Sequence, residues 1–262
     1  MRKKTRHRRQ RTQAARHRVP PAQAAHAAQP AEASRAAVVR DEKQVVLHIL
    51  GAGYTTANAL KLGEHAMSST SDRIAQSPYH DQYACHAGCS WCCYIPVAVT
   101  PPEAFVIAQY LLEHFSAEEL TTVRGHLEAN AGRIAPLSLA DHADARIPCA
   151  LLRDGQCTVY EARPIRCRRW NSVDSAACEA GFHDARAPIV PVDSYAFEAG
   201  GDVQAGLHAG TTQLGLDGTR YELHSVVWRA LEVADAVDSW VCGTAVFRDC
   251  TPIECGGDLS AS

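Results

Sequence analysis

Four thiols stand in one short run, Cys85-His86-Ala87-Gly88-Cys89-Ser90-Trp91-Cys92-Cys93, at C-x3-C-x2-C-C spacing. Gaps of two or three residues let one loop wrap several thiolates around a single ion, which is why structural zinc and iron–sulfur sites use them. Gly88 supplies the backbone freedom such a wrap needs. Adjacent side chains point apart in extended backbone, so Cys92 and Cys93 imply either two metals or one ligand beside a packing thiol. A second, looser group follows at Cys149, Cys157, Cys167 and Cys178. Together they make eight cysteines: two four-thiolate sets, or one set with spares. The competing reading is eight small buried hydrophobes, which clustered spacing of this kind disfavours.

Arg163, Arg166, Arg168 and Arg169 bracket Cys167. Cations beside a thiol lower its pKa and offset the negative charge of a thiolate-bound metal; the same run would also serve as a solvated face or pair with Asp154 and Glu161. Cys242, Cys250 and Cys255 are more widely spaced and are expected to ligate nothing, with an accessory site as the alternative. His48, His65, His183 and His224 are expected on the surface or in the core, whereas His86 lies inside the first cluster. The chain has no G-x-S-x-G, H-E-x-x-H, P-loop or dinucleotide fingerprint, and Cys93 stands where haem attachment would need His.

The elements that must carry these residues read as helices. Thr100-Pro101-Pro102-Glu103 is a capping box with proline at the first helical position, followed by Ala104, Ile107, Ala108, Leu111 and Phe115 on one face. Ser116-Ala117-Glu118-Glu119 repeats the box and opens a second helix to about Gly132, predicting an antiparallel hairpin. Further helical periodicity runs over 41–67, 193–208 and 221–241. A short strand pair at 149–152 and 157–160 is possible around the turn Asp154-Gly155. The fold class is therefore mainly α, helical hairpins around a cysteine-rich, irregular metal-binding core with little or no β.

The 262 residues suffice for a sizeable core. Their net charge of −3 conceals an asymmetry, since residues 2–18 hold nine basic side chains and no acid. Residues 1–40 read as a disordered basic arm, 41–241 as the helical cysteine-cluster domain and 242–262 as a cysteine-containing tail. The arm would serve as a solubilising extension, or bind a nucleic acid or an acidic partner by neutralising its charge. No apolar run is long enough for a secretory signal or a membrane span. The chain is thus expected in the reducing cytoplasm, where clustered cysteines ligate metals rather than form disulfides; an odd total of 11 agrees.

The first cluster, then Val97-Ala-Val-Thr100-Pro-Pro-Glu103-Ala104, Pro148-Cys149-Ala-Leu-Leu, Gly155-Gln-Cys157-Thr-Val-Tyr160-Glu-Ala-Arg163-Pro164 and Cys167-Arg168-Arg169-Trp170-Asn171-Ser172, resemble the YkgJ-type CxxCxxCC cysteine-cluster family of zinc- or iron-chelating bacterial proteins. The first spacing here is three residues rather than two, and the basic arm and the cysteines after 240 lie outside the pattern. The resemblance implies a metal site on Cys85, Cys89, Cys92, Cys93, Cys149, Cys157, Cys167 and Cys178. It implies no reaction; a remoter similarity to flagellin lysine methylases leaves a redox or protein-modifying enzyme as an alternative. Thiolate ligation permits zinc or an iron–sulfur cluster, and the adjacent pair and the arginines lean towards iron–sulfur.

Overall fold

A computed structural model describes residues 32–184 and 186–253. The described residues form ten α-helices and two antiparallel pairs of two-residue strands, in the mainly helical architecture expected. The basic run Arg2 to Arg18 and Cys255 lie outside the described residues.

The helix expected over 41–67 is two helices, α1 (Glu32–Gly51) and α2 (Thr56–Ile74), parted where Gly53 takes φ +152° and Thr55 caps α2 by accepting Asn58 N–H. Helix α1 starts inside the segment read as an arm. Its Arg35 donates to Asp202 at 3.0 Å and pairs with Glu198, both on α8 (Ser194–Gln213), whose N-cap Asp193 accepts Tyr195 N–H. α1 lies along α8 at very close range: a Cβ on Gly206 or Gly210 would stand 2.5 Å from the Cβ of Glu42 or Val46. Only glycine permits that approach.

Both capping boxes open the helices they predict, α3 (Pro101–His114) and α4 (Ala117–Ile134). The two do not lie against each other as a hairpin, however. α3 packs on α2 and on α9 (Leu223–Glu232), and α4 packs on α9, because α9 buries Leu223, Val226, Val227 and Leu231 and so offers each a large apolar face. The periodic stretch 221–241 divides into α9 and α10 (Ala236–Val241), with Asp235 at φ +55° between them.

Two strand pairs fasten the irregular segments. β1 (Ala98–Val99) pairs with β4 (Tyr221–Glu222), joining the exit of the first cysteine loop to the start of α9. β2 (Leu152–Arg153) and β3 (Gln156–Cys157) form the expected hairpin, shorter than expected, around Asp154 and Gly155 at φ +52° and +75°. Phe105, Trp240 and Phe247 meet in the core, with ring centroids 5.7 and 5.6 Å from Phe105. Phe247 belongs to the segment read as a tail. Through Ile253 that segment is built into the body: Val246, Phe247 and Cys250 are buried, and Thr251 accepts Glu222 N–H at 2.8 Å.

Candidate metal centre

The eight clustered cysteines reach one region from five places. Cys85, Cys89, Cys92 and Cys93 lie in the loop before β1, Cys149 in a turn, Cys157 on β3, Cys167 on α6 (Ile165–Arg169) and Cys178 on α7 (Ser175–His183). The first loop is two successive turns, Cys89 N–H to His86 O at 3.0 Å and Cys93 N–H to Ser90 O at 2.9 Å, with Gly88 at φ +95°. Cys149 N–H donates to Cys93 O at 2.8 Å, which joins the two sequence clusters directly.

Burial pushes the thiols of Cys85, Cys149, Cys157, Cys167 and Cys178 upward, Cys149 to about 12, and repulsion from Cys92 adds to every one of them. Cys92 is itself raised, first by its contact with the Cys93 thiol and then by burial. Cys92 thus bears on thiols of both sequence clusters. Cys149, Cys157 and Cys167 pack against the apolar core, while Cys89 adds to the rise of Cys85, and both add to that of Cys178. Among the described residues no three Cys, His, Asp or Glu side chains stand close enough together to enclose an ion.

Some of the surroundings work the other way. Backbone N–H groups of Leu151, Val159 and Ser172 are directed at the sulfurs of Cys149, Cys157 and Cys85, the last at 3.2 Å. Donors to sulfur favour its charged, metal-binding form. Arg163 draws down Cys85, Cys92, Cys157 and Cys167 together. Its neighbours do other work: Arg166 and Arg169 lie over the Phe197 ring, and Arg168 donates to the carbonyls of Arg163 and Glu161. A soft, thiophilic cation fits this donor set, since it removes the repulsion and replaces the protons.

These directions have a measurable consequence for metal-stripped protein. Its buried thiols are neutral, with folded pKa values above the unfolded value near about 8.5. The stability they contribute is complete below about pH 8.5 and is lost as pH rises through the folded values, by up to about 1.4 kcal/mol per pH unit for each fully desolvated thiol. Urea denaturation from about pH 8 to about pH 10 should show this fall. Metal-loaded protein, its thiols already deprotonated, should lack it.

Three supporting residues carry no sequence signal. Ser172, fully buried, gives its N–H to Cys85 and its hydroxyl bears on Cys178, while its carbonyl accepts Ala84 N–H at 2.9 Å. His224 donates from Nδ1 to Glu222 at 2.6 Å and accepts Ala150 N–H on Nε2 at 3.1 Å, so the α9 N-terminus fixes the turn that carries Cys149. Burial works against the Glu222 charge, but the His224 contacts and Ser225 N–H outweigh it and hold the carboxyl below its usual range. His224→Leu strands both Glu222 and Ala150 N–H. Metal affinity, measured by chelator competition, should fall about 10- to 100-fold with all eight cysteines intact. His86 donates to Ala84 O and is exposed. Cys250 donates to Ser225 O inside the core, and Cys242 is exposed at the end of α10.

Residues 84–185 match the CxxCxxCC family model, described as "Putative zinc- or iron-chelating domain". The match covers all eight clustered cysteines and supports metal binding by this segment. No curated protein and no solved structure matches the chain. Among the described residues no helix is long and apolar enough to cross a membrane.

Proposed function

We propose that this chain is a metal-binding protein of the cytoplasm that holds an iron–sulfur cluster, with Cys92, Cys149, Cys157 and Cys167 as the primary ligands. Cys85, Cys89, Cys93 and Cys178 form the second set beside them. The observation that carries this reading is the hydrogen bond from Cys149 N–H to Cys93 O that joins the two sequence clusters, with thiols of both raised by Cys92. Bound there, a cluster would supply a one-electron redox centre. The chain's part is to gather the sulfurs, direct N–H donors at them, offset their charge with Arg163 and shield the inner set with the core. Those N–H donors and that cation favour iron–sulfur over zinc, because sulfur hydrogen bonds and charge compensation tune such clusters. The ten described cysteines are all free, the state a reducing compartment maintains. The folded body is read as starting with α1 at Glu32 and ending no earlier than Ile253.

Anaerobic purification with a visible spectrum and assays for iron, zinc and acid-labile sulfide tests the reading. A brown protein with a band near about 400 nm and labile sulfide is expected. Colourless protein with zinc and no sulfide would replace the cluster with a structural zinc site, and folded protein without metal would overturn metal binding altogether.

A further inference from the structure

Beside the cysteine cluster lies a cavity of about 270 Å³ walled by Trp91, Tyr94, Trp170 and Phe182. Cys92 and Cys178 belong to its lining, as do two charged residues, Asp144 and Arg146. A second cavity of about 380 Å³ shares Trp170, Gly181 and Val190 with it and extends past the exposed Ile189. Four aromatic rings with few polar groups among apolar walls is the composition of a small-molecule site.

Arg146 is the unusual member. It ends α5 (Leu139–Ala145) in the left-handed region at φ +48°, which a non-glycine residue adopts at a cost. That backbone sets its guanidinium 5.1 Å from the centroid of the Phe182 ring. Among the described residues no carboxylate pairs with it, including Asp144 in the same lining. A cation held over an aromatic wall and left without an anion is suited to a carboxylate attached to a flat ring.

We propose that this cavity binds a small aromatic monocarboxylate, its ring among Trp91, Tyr94 and Phe182 and its carboxylate on Arg146. A cationic ligand is disfavoured because arginines already stand over the rings, Arg146 over Phe182 and Arg166 over Trp170. A dianion is disfavoured by Asp144, since Arg146 is the one cationic residue in the described lining. The chain's own ends do not fit the pocket, since residues 1–31 and 254–262 contain no Phe, Tyr or Trp. Such a ligand would sit against Cys92 and Cys178. The inference rests on the proposed metal centre only for what stands behind that wall.

The test is calorimetric and fluorescence titration of the full chain with 1-naphthoate, 1-naphthalenemethanol and naphthalene-2,3-dicarboxylate, with metal content measured on the same samples. Saturable binding of one naphthoate per chain is expected, about tenfold or more tighter than the alcohol and tighter than the dianion. Arg146→Gln should erase the preference for acid over alcohol, Arg146→Lys should retain part of it, and Phe182→Leu should weaken both ligands. Absence of saturable naphthoate binding, equal affinity for acid and alcohol, or a preference that survives Arg146→Gln would overturn the proposal. If Arg146→Gln does not fold, the wild-type ratio and Arg146→Lys decide. Metal-loaded protein that ignores naphthoate refutes this inference alone; metal-free protein that binds it with the expected preference upholds it and refutes the metal centre.

Discussion

Cys92→Ser is expected to purify with almost none of the metal that the parent protein holds. Cys92 adds to the raised pKa of five other thiols drawn from both sequence clusters and meets the Cys93 thiol directly, so a metal held by thiolates of both clusters would call on it. Serine is nearly isosteric but stays protonated and is a poor ligand for a soft metal, so coordination is lost with little change in shape. Because metal-binding energy is folding energy when the site closes only with the metal, denaturant stability should fall by about 5 kcal/mol or more. Cys250→Ala supplies the control. It removes a thiol from the core that donates to Ser225 O and should leave metal content unchanged. Full metal in Cys92→Ser would refute the assignment of Cys92, and loss in Cys250→Ala would show that metal content merely follows general stability.

Glu103→Ala is expected to have the second largest effect, although Glu103 is no ligand. The capping-box acid of α3 is fully buried, and one of its oxygens accepts Thr100 N–H at 3.0 Å and the Thr100 hydroxyl at 2.7 Å. The same oxygen accepts Gln204 Nε2 at 3.2 Å from α8, while the other accepts Ile165 N–H at 2.7 Å. Ile165 is the first residue of α6, the helix that carries Cys167. One carboxylate thus caps α3, anchors α8 and fixes the cysteine helix. Alanine leaves these buried donors unpaired, at a cost of about 3 to 5 kcal/mol. Metal affinity by chelator competition should also fall about tenfold or more. Glu103→Gln, which keeps an acceptor, should recover part of both losses. A variant that is destabilised yet binds metal with parental affinity would confine Glu103 to fold stability.

Much of this was legible locally. Both capping boxes and the Asp154-Gly155 turn depend on residues within three or four positions of one another, and each is found where its sequence pattern predicts. The two cysteine clusters were legible as a pair, and the hydrogen bond from Cys149 to Cys93 joins them. Long-range choices were not legible. Two-residue strands such as β1 and β4 are too short to show alternation, yet they seat α9 beside the first cysteine loop. The expected hairpin of α3 and α4 gave way to α9 because an apolar stripe does not say which partner will cover it. Ser172 and His224 act through a backbone N–H and a tautomer, neither of which is encoded in spacing. Glu103 was read correctly as a cap, but its bond to Ile165, across 62 residues, carries no local mark.

The gathering of thiols from distant stretches also bears on the rates of folding and unfolding. Cys85 and Cys178 bracket four helices and both strands of the hairpin, so the complete thiol set exists only after that whole span has emerged and collapsed. High sequence separation between contacts slows folding. A metal captured early by the first loop alone would hold only part of its coordination shell, and would be open to exchange until Cys149, Cys157 and Cys167 arrive. Once they had, opening any one segment would leave the others to hold the ion. The lifetime of the assembled protein would then be governed by the slow escape of metal rather than by fraying of helices, a form of kinetic stability set by coordination chemistry.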